Sequence, residues 1–189
     1  MNMSTNATMI KNKDISVIAI LLFTWLSLAG CDKHSGGRKS EFDQFSRELT
    51  VDDWQFKLNV ENQNRLKGAD TAAIDGQYLK ATLYLSNGRT QKPLLHSVSA
   101  DGDEYEANYR FLAFDCRDDL YIKYKDEFIY PMGYMFEPSN GLAGNERLVY
   151  KFRVEDKMYD EMKRDNGAVE YWYIERLAGL GKICFTHNN

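Results

Sequence analysis

The chain has 189 residues, of which 43% are hydrophobic, 28% are charged and 3 are proline. This composition excludes collagen-like, low-complexity and intrinsically disordered chains. The formal net charge is -4. Because there is no basic excess to neutralise phosphates, we do not expect the chain to bind nucleic acid.

The N-terminal region has the layout of a secretory signal peptide. Lys11 and Lys13 precede a mainly apolar run over residues 15–30, which ends in the small residues Ala29 and Gly30. A membrane-spanning helix needs about 20 apolar residues. The run is shorter than that, and its charged start and small-residue end are typical of a secretory signal.

The end of this run, Leu28-Ala29-Gly30-Cys31, resembles the lipobox of bacterial lipoproteins. The resemblance implies that signal peptidase II removes residues 1–30 and that Cys31 becomes the N-terminus and carries the lipid. More than one acyl chain anchors a protein stably, since each buried CH₂ contributes about 0.8 kcal/mol. We therefore expect a lipoprotein held on a membrane of the cell envelope, the outer membrane in preference to the inner. The alternative is an uncleaved signal anchor.

Residues 31–40 are polar and contain a Ser-Gly-Gly sequence, so we expect a flexible tether after the lipid-bearing cysteine. The remainder, residues 41–189, has the length of one domain. At its start, Phe42, Phe45 and Leu49 recur at helical spacing, which predicts a short N-terminal helix.

Apolar and polar residues then alternate along many segments, which predicts half-buried β-strands. The first is Trp54 to Val60, where Trp54, Phe56, Leu58 and Val60 alternate with polar residues. The other predicted strands cover residues 79–85, 94–98, 105–113, 120–124, 127–130, 148–154, 170–174 and 182–186.

One inserted helix interrupts the strands. Residues 156–165 have helical spacing, with Met158 and Met162 on the inner face. Tight turns are predicted at Asn87-Gly88, Asp101-Gly102, Lys125-Asp126 and Asn140-Gly141. About eight short strands, one inserted helix and one N-terminal helix predict an all-β fold, namely an antiparallel β-sandwich.

Two cysteines remain once Cys31 is assigned to the lipid. Cys116 and Cys184 can form a disulfide in an oxidising envelope compartment. The alternative is two free thiols that pack as small hydrophobic groups. The sequence leaves both open, because it does not show whether the two Cα atoms approach each other.

The sequence carries no catalytic, cofactor or metal motif. It contains neither His-x-x-x-His nor Cys-x-x-Cys, so we expect no zinc site. Residues 177–182 resemble a phosphate loop, but Arg176 and Ile183 replace the glycine and hydroxyl residue that the loop requires. We interpret this stretch as a bend between two strands. The acidic clusters at residues 101–104 and 115–119 are interpreted as turns and caps rather than calcium ligands.

Two aromatic stretches are the candidate binding surfaces. Residues 130–138 combine three aromatic residues, two methionines and two prolines, and the prolines break a regular central strand. Surfaces rich in aromatic residues and methionine serve protein contacts and ligand grooves. The second stretch covers residues 170–173. The candidate partner-binding residues are Tyr130, Tyr134 and Phe136 of the first stretch and Trp172 of the second. The alternative is a loop that covers the core.

These observations favour a lipid-anchored, non-enzymatic module that binds protein as a scaffold or as an accessory to an envelope machine. In layout alone, it resembles the outer-membrane lipoproteins of type VI secretion systems. An immunity-type inhibitor of a periplasmic toxin is one alternative, since removing the leader makes the net charge one unit more negative and favours a basic partner. The other is a surface glycan-binding lipoprotein that uses Tyr134, Phe136 or Trp172.

Replacing Cys31 by serine tests the lipid anchor. The hydroxyl does not replace the thiol as the acyl carrier, so Cys31→Ser is expected in the soluble fraction and without palmitate label. Fractionation of cells grown with labelled palmitate measures both. Cys184→Ser is the matched control and should stay lipid-labelled in the membrane fraction. Continued membrane attachment of Cys31→Ser would show that another segment anchors the protein.

Overall fold

The computed structural model describes residues 41–63, 76–139 and 144–187. The predicted signal peptide, the predicted lipid site Cys31, the predicted tether of residues 31–40 and the predicted turn at Asn140-Gly141 lie outside the described residues. Among the helices that are described, none combines the length and the hydropathy that a membrane span requires.

The described residues form ten strands and three α-helices, with short 3₁₀ turns at Glu41–Asp43 and Asn166–Ala168 and a π-helical turn at Phe111–Asp115. The strands are β1 Gln44–Val51, β2 Trp54–Asn62, β3 Gln77–Asn87, β4 Lys92–Pro93, β5 Leu120–Tyr124, β6 Glu127–Ile129, β7 Gly133–Glu137, β8 Glu146–Val154, β9 Val169–Glu175 and β10 Gly181–Thr186. The helices are α1 Leu94–Val98, α2 Gly102–Arg110 and α3 Asp156–Arg164.

The strands build two antiparallel sheets. The larger has the order β1-β2-β3-β8-β7, with the short β4 also paired to β3, and the smaller has the order β10-β9-β5-β6. Alternate side chains of the longer strands are buried, and the buried side chains of the two sheets form one apolar core. The all-β, antiparallel sandwich expected from the alternating sequence pattern is therefore confirmed.

Aromatic rings join the two sheets across the core. The ring centroid of Phe45 in β1 lies 4.8 Å from that of Tyr171 in β9, and Phe56 in β2 lies 6.2 Å from Tyr173 in β9. Tyr171 is fully buried, with Tyr173 almost so. An aromatic side chain buries roughly 150–250 Å². These contacts therefore supply much of the apolar area that holds the sheets together.

The predicted N-terminal helix is wrong. Residues after the first 3₁₀ turn form β1, which pairs with β2 from Gln44 opposite Glu61 to Val51 opposite Trp54. Phe45 and Leu49 satisfy strand spacing as well as helical spacing, and the partner strand decides between the two. Asp52 takes a positive φ of 54° in the connecting turn, a conformation that aspartate tolerates better than most residues.

The predicted strand over residues 105–113 is also wrong, since this segment contains most of α2 and the start of the π-helical turn. The side chain of Asp101 accepts the N–H of Glu104 at 2.9 Å, and the Glu104 carboxylate accepts the N–H of Ala100 at 2.6 Å. This reciprocal capping starts a helix where the sequence had indicated a hairpin turn at Asp101-Gly102. Likewise, the predicted strand over residues 94–98 is helix α1.

The inserted helix α3 is confirmed, with Met162 buried and Met158 packed against the core. A buried polar network ties it to the start of the domain. The hydroxyl of Tyr159 donates to Asp43, and Asn62 Nδ2 donates to that hydroxyl at 2.7 Å. Lys163 Nζ also lies 3.2 Å from Asp43 Oδ2.

The possible disulfide does not form, because Cys116 and Cys184 are both free in the structure. Cys116 is buried in the core. Cys184 lies opposite Trp172 and alternates with the buried Ile183 and Phe185, so it lies on the outer face of the four-stranded sheet. The two thiols therefore lie on different sides of this sheet.

Glu146 is a buried carboxylate at the start of β8. It accepts the backbone N–H of Leu94, and that of Leu95 at 3.3 Å, at the N-terminus of α1. Burial raises the pKa of Glu146 to about 7, while the two N–H donors act in the opposite direction. The folded protein therefore binds the Glu146 proton more tightly than the unfolded chain does.

This difference predicts a pH dependence. Between the ordinary pKa of 4.5 and about 7, the carboxyl is protonated in the folded state and ionised in the unfolded state. The free energy of unfolding should therefore fall as pH rises through this window, by up to about 3 kcal/mol. Urea titrations from pH 4 to pH 8 measure it. Glu146→Gln cannot ionise and should lack this component, so parallel profiles of the two proteins would contradict the assignment.

Candidate functional site

Four aromatic residues lie together on the outer face of the four-stranded sheet. Tyr121 in β5 is paired directly with Trp172 in β9. The ring of Tyr121 lies 5.8 Å from that of Phe128 and 5.7 Å from that of Tyr130. We name Tyr121, Phe128, Tyr130 and Trp172 the aromatic patch.

The patch combines a buried base with exposed rings. Tyr121 is only 8% exposed, whereas Phe128 is 52% exposed and Tyr130 is 53% exposed. Contiguous apolar surface of this kind on a sheet face marks an interaction site more often than scattered single residues do. The patch is therefore the strongest candidate binding surface among the described residues.

Charged groups beside the patch are already paired. The indole Nε1 of Trp172 donates to Glu170 Oε2 at 2.9 Å, and Lys123 Nζ lies 3.2 Å from the same oxygen. The hydrogen bond from Trp172, together with Lys123, holds the pKa of Glu170 below its ordinary value. The patch thus presents aromatic carbon with a neutralised ion pair at its side.

The structure separates the four residues that the sequence had grouped. Tyr130 and Trp172 belong to the patch, through Tyr121. Tyr134 and Phe136 instead lie on the inner face of β7, where the ring centroid of Tyr134 lies 4.9 Å from that of Tyr150. The Tyr134 hydroxyl donates to the carbonyl of Leu112, and burial raises the pKa of Tyr134.

Phe136 has a structural partner as well, since its ring lies 5.4 Å from that of Tyr109 in α2. Strand β7 pairs regularly with β8 from Gly133 to Glu137 as an edge strand. The two prolines flank this strand and do not interrupt it. Tyr134 and Phe136 therefore help to cover the core, the alternative considered for this stretch, and are less accessible than the exposed rings of Phe128 and Tyr130.

Sequence analysis missed Tyr121 and Phe128. The alternation of the sequence does contain a signal for Tyr121. When Leu120, Ile122 and Tyr124 face the core, Tyr121 must lie on the outer face of β5. Phe128 shares the alternation phase of Tyr130. Only the pairing of β5 with β6 and β9 brings these outward residues into one surface.

The cysteines lack the environment of a nucleophile. Burial raises the pKa of Cys116, and it raises that of Cys184 to about 11, so both thiols are protonated at neutral pH. His187 packs its ring 4.6 Å from Phe45, on the core side, whereas Cys184 lies on the outer face. The two side chains therefore do not form a thiol–imidazole pair.

The loop that resembles a phosphate site is filled by the chain's own carboxylate. Glu175, at the end of β9, accepts backbone N–H groups of Leu177, Ala178 and Leu180 at 2.9–3.2 Å. Loop N–H groups of this kind attract anions, and here the anion is Glu175. The interpretation as a bend between the last two strands is confirmed.

A second unusual surface surrounds the π-helical turn. Phe114 is 77% exposed there. Over residues 101–118, acidic side chains outnumber basic ones by four, which equals the net charge of -4 of the whole chain. Both arginines of this segment pair with acids of the same segment, Arg110 with Glu106 and Arg117 with Asp118. We name residues 101–118 the acidic pole.

The acidic residues of this pole have structural roles at several positions. Asp101 and Glu104 cap α2, and the neighbouring Asp119 pairs with Arg176 at 2.9 Å. Within the described part of the chain, no three His, Cys, Asp or Glu side chains are placed to hold a metal ion.

Comparison with models of known families, with curated proteins and with solved structures finds no match to this chain.

Glu175 is expected to stabilise the last hairpin. Glu175→Ala leaves three loop N–H groups without their acceptor, which should cost about 2–3 kcal/mol and speed amide exchange of Leu177, Ala178 and Leu180. Glu127→Ala, an exposed carboxylate of the same sheet, should cost less than about 0.5 kcal/mol. Thermal unfolding and hydrogen exchange measure both. Equal effects of the two substitutions would show that the loop does not depend on Glu175.

Proposed function

We propose that the protein is a lipid-anchored, non-enzymatic module of the cell envelope that binds a partner protein through the aromatic patch. The lipobox sequence around Cys31 supports the anchor. The patch supports the binding role, and its two half-exposed rings are the observation that carries the proposal.

The energetics favour burial of these rings. Aromatic residues in the centre of an interface contribute about 2 kcal/mol or more each when a partner excludes water from them. Phe128 and Tyr130 already rest on Tyr121, so little side-chain freedom is lost when a partner covers them. A patch that is rigid before binding suits a protein scaffold.

The patch chemistry favours a protein over a sugar. The rings of Phe128 and Tyr130 are tilted 59° and 41° from Tyr121, so they form no flat platform. Trp172 and Lys123 both contact the Glu170 carboxylate. These three polar groups therefore offer fewer hydrogen bonds to a hydroxyl-rich ligand than unpaired groups would. An apolar protein surface requires no such bonds.

An immunity-type inhibitor is the second candidate, and the acidic pole favours it. Its uncompensated charge complements a basic toxin, and opposite potentials accelerate association and select the partner. The exposed ring of Phe114 would supply an apolar anchor at the centre of that contact.

Photo-crosslinking in cells distinguishes the two candidates. The crosslinker p-benzoylphenylalanine replaces Phe128 in one variant and Phe114 in another, and the exposed Lys151 on the opposite sheet is the control position. We expect a discrete adduct from position 128 and none from position 151. An adduct with a basic protein from position 114 alone would favour the inhibitor.

The protein identified in this way then serves for affinity measurements. Phe128→Ser combined with Tyr130→Ser removes both exposed rings and should weaken binding at least about tenfold. Phe114→Ser, also an exposed ring, should change the affinity less than about twofold. Both positions are on the surface, so thermal unfolding should remain near that of the original protein. Unchanged affinity in the double variant would overturn the proposal.

A further inference from the structure

The outer face of the six-stranded sheet contains a groove of ≈ 380 Å³ that the proposed function does not use. Side chains from β1, β2 and β3 line it, together with Asn145 just before β8. We name it the polar groove, and its strand residues are Glu48, Gln55, Lys57, Asn59, Tyr84 and Ser86.

Strand register orders these side chains in rows. Glu48, Lys57 and Tyr84 are direct partners across the three strands, and Gln55 is paired with Ser86 in the next row. Asn59 lies in the row on the opposite side of the Glu48, Lys57 and Tyr84 row. The sheet backbone therefore holds one ring, two amides and a hydroxyl at fixed spacing, about 4.8 Å between neighbouring strands within a row.

The two charged residues of the groove are not joined. Glu61 and Lys80, on the same outer face of β2 and β3, form an ion pair at 3.2 Å. Glu48 and Lys57 lie opposite each other in β1 and β2, yet among the described residues they form no ion pair. Their charged ends remain available beside Tyr84.

Local contacts position the amides. The hydroxyl of Ser46 donates to Asn59 Oδ1 at 2.7 Å, which leaves the amide nitrogen of Asn59 as a donor. The Gln55 side chain passes over the turn at Gly88, where a Cβ would lie only 3.0 Å from its carbons. Glycine at position 88 thus makes room for Gln55 at one end of the groove.

The lining selects a class of ligand. One glutamate and one lysine cancel in charge, so the groove favours neither phosphate nor a metal ion. Amides, a hydroxyl and a phenol both donate and accept hydrogen bonds, which a drug-like apolar molecule does not use. Sugar hydroxyls match such groups, and the apolar face of a pyranose ring matches the half-buried ring of Tyr84.

From this geometry we propose that the polar groove binds a neutral oligosaccharide, stacked on Tyr84 and hydrogen-bonded by Gln55 and Asn59. The groove and the aromatic patch lie on different sheets, so the inference is independent of the proposed protein-binding role. The proposed sugar site thus lies on the outer face of the six-stranded sheet, away from Tyr134, Phe136 and Trp172, which the sequence offered for glycan binding.

Calorimetry of the full chain in detergent micelles tests the proposal, with chitohexaose, cellohexaose and maltohexaose as probes. Chitohexaose represents the N-acetylated sugars of cell-wall glycan, and the other two represent neutral polysaccharides. At least one probe should bind, and Tyr84→Ala should weaken that binding at least about tenfold. Tyr84→Phe keeps the ring and should stay within about threefold.

Tyr78→Ala is the matched control. Tyr78 lies on the same strand and the same outer face, outside the groove. Its substitution should change the dissociation constant less than about twofold, whereas Asn59→Ala should raise it measurably. Absence of binding by all three probes to the unmodified protein would overturn the proposal, and so would equal losses in Tyr84→Ala and Tyr78→Ala.

Discussion

Packing of two aromatic sheet faces is the constraint on which the rest of the structure depends. Phe45 meets Tyr171 and Phe56 meets Tyr173 across the core, and these contacts fix which sides of β1, β2 and β9 are buried. Because side chains alternate along a strand, the outward set is fixed at the same time. The aromatic patch and the polar groove are the two outward sets that this packing leaves exposed.

Buried carboxylates serve the fold. Glu146 holds the first turn of α1, Glu175 holds the loop between β9 and β10, and Asp43 binds Tyr159 and Lys163. Each carboxylate is matched by backbone N–H groups or by a charged or hydroxyl partner, as burial of a charge requires. These buried acids therefore carry structural roles, whereas the aromatic patch and the polar groove lie on the outer faces of the sheets.

The two outer faces differ in chemistry. Phe128 and Tyr130 present carbon that water solvates poorly, beside an ion pair that is already closed. On the other sheet, Glu48 and Lys57 stay apart beside amides and Tyr84. The first surface gains free energy by excluding water, and the second by exchanging hydrogen bonds with water for hydrogen bonds with a ligand. The two surfaces are thus suited to ligands of different chemical class.

The sequence by itself predicted a lipid site at Cys31 from the lipobox pattern. It also determined the all-β fold class, most strands and helix α3, because these depend on local patterns. It failed at β1, α1 and α2. Phe45 and Leu49 fit both periodicities until β2 pairs with them, and Tyr105 and Tyr109 alternate inside a helix that Asp101 and Glu104 start. Tertiary structure alone decided that Tyr134 faces the core, that Cys116 and Cys184 stay apart, and that Tyr121 joins Phe128 and Tyr130. These are contacts between segments distant in sequence, and alternation gives the face of a residue without giving its neighbours.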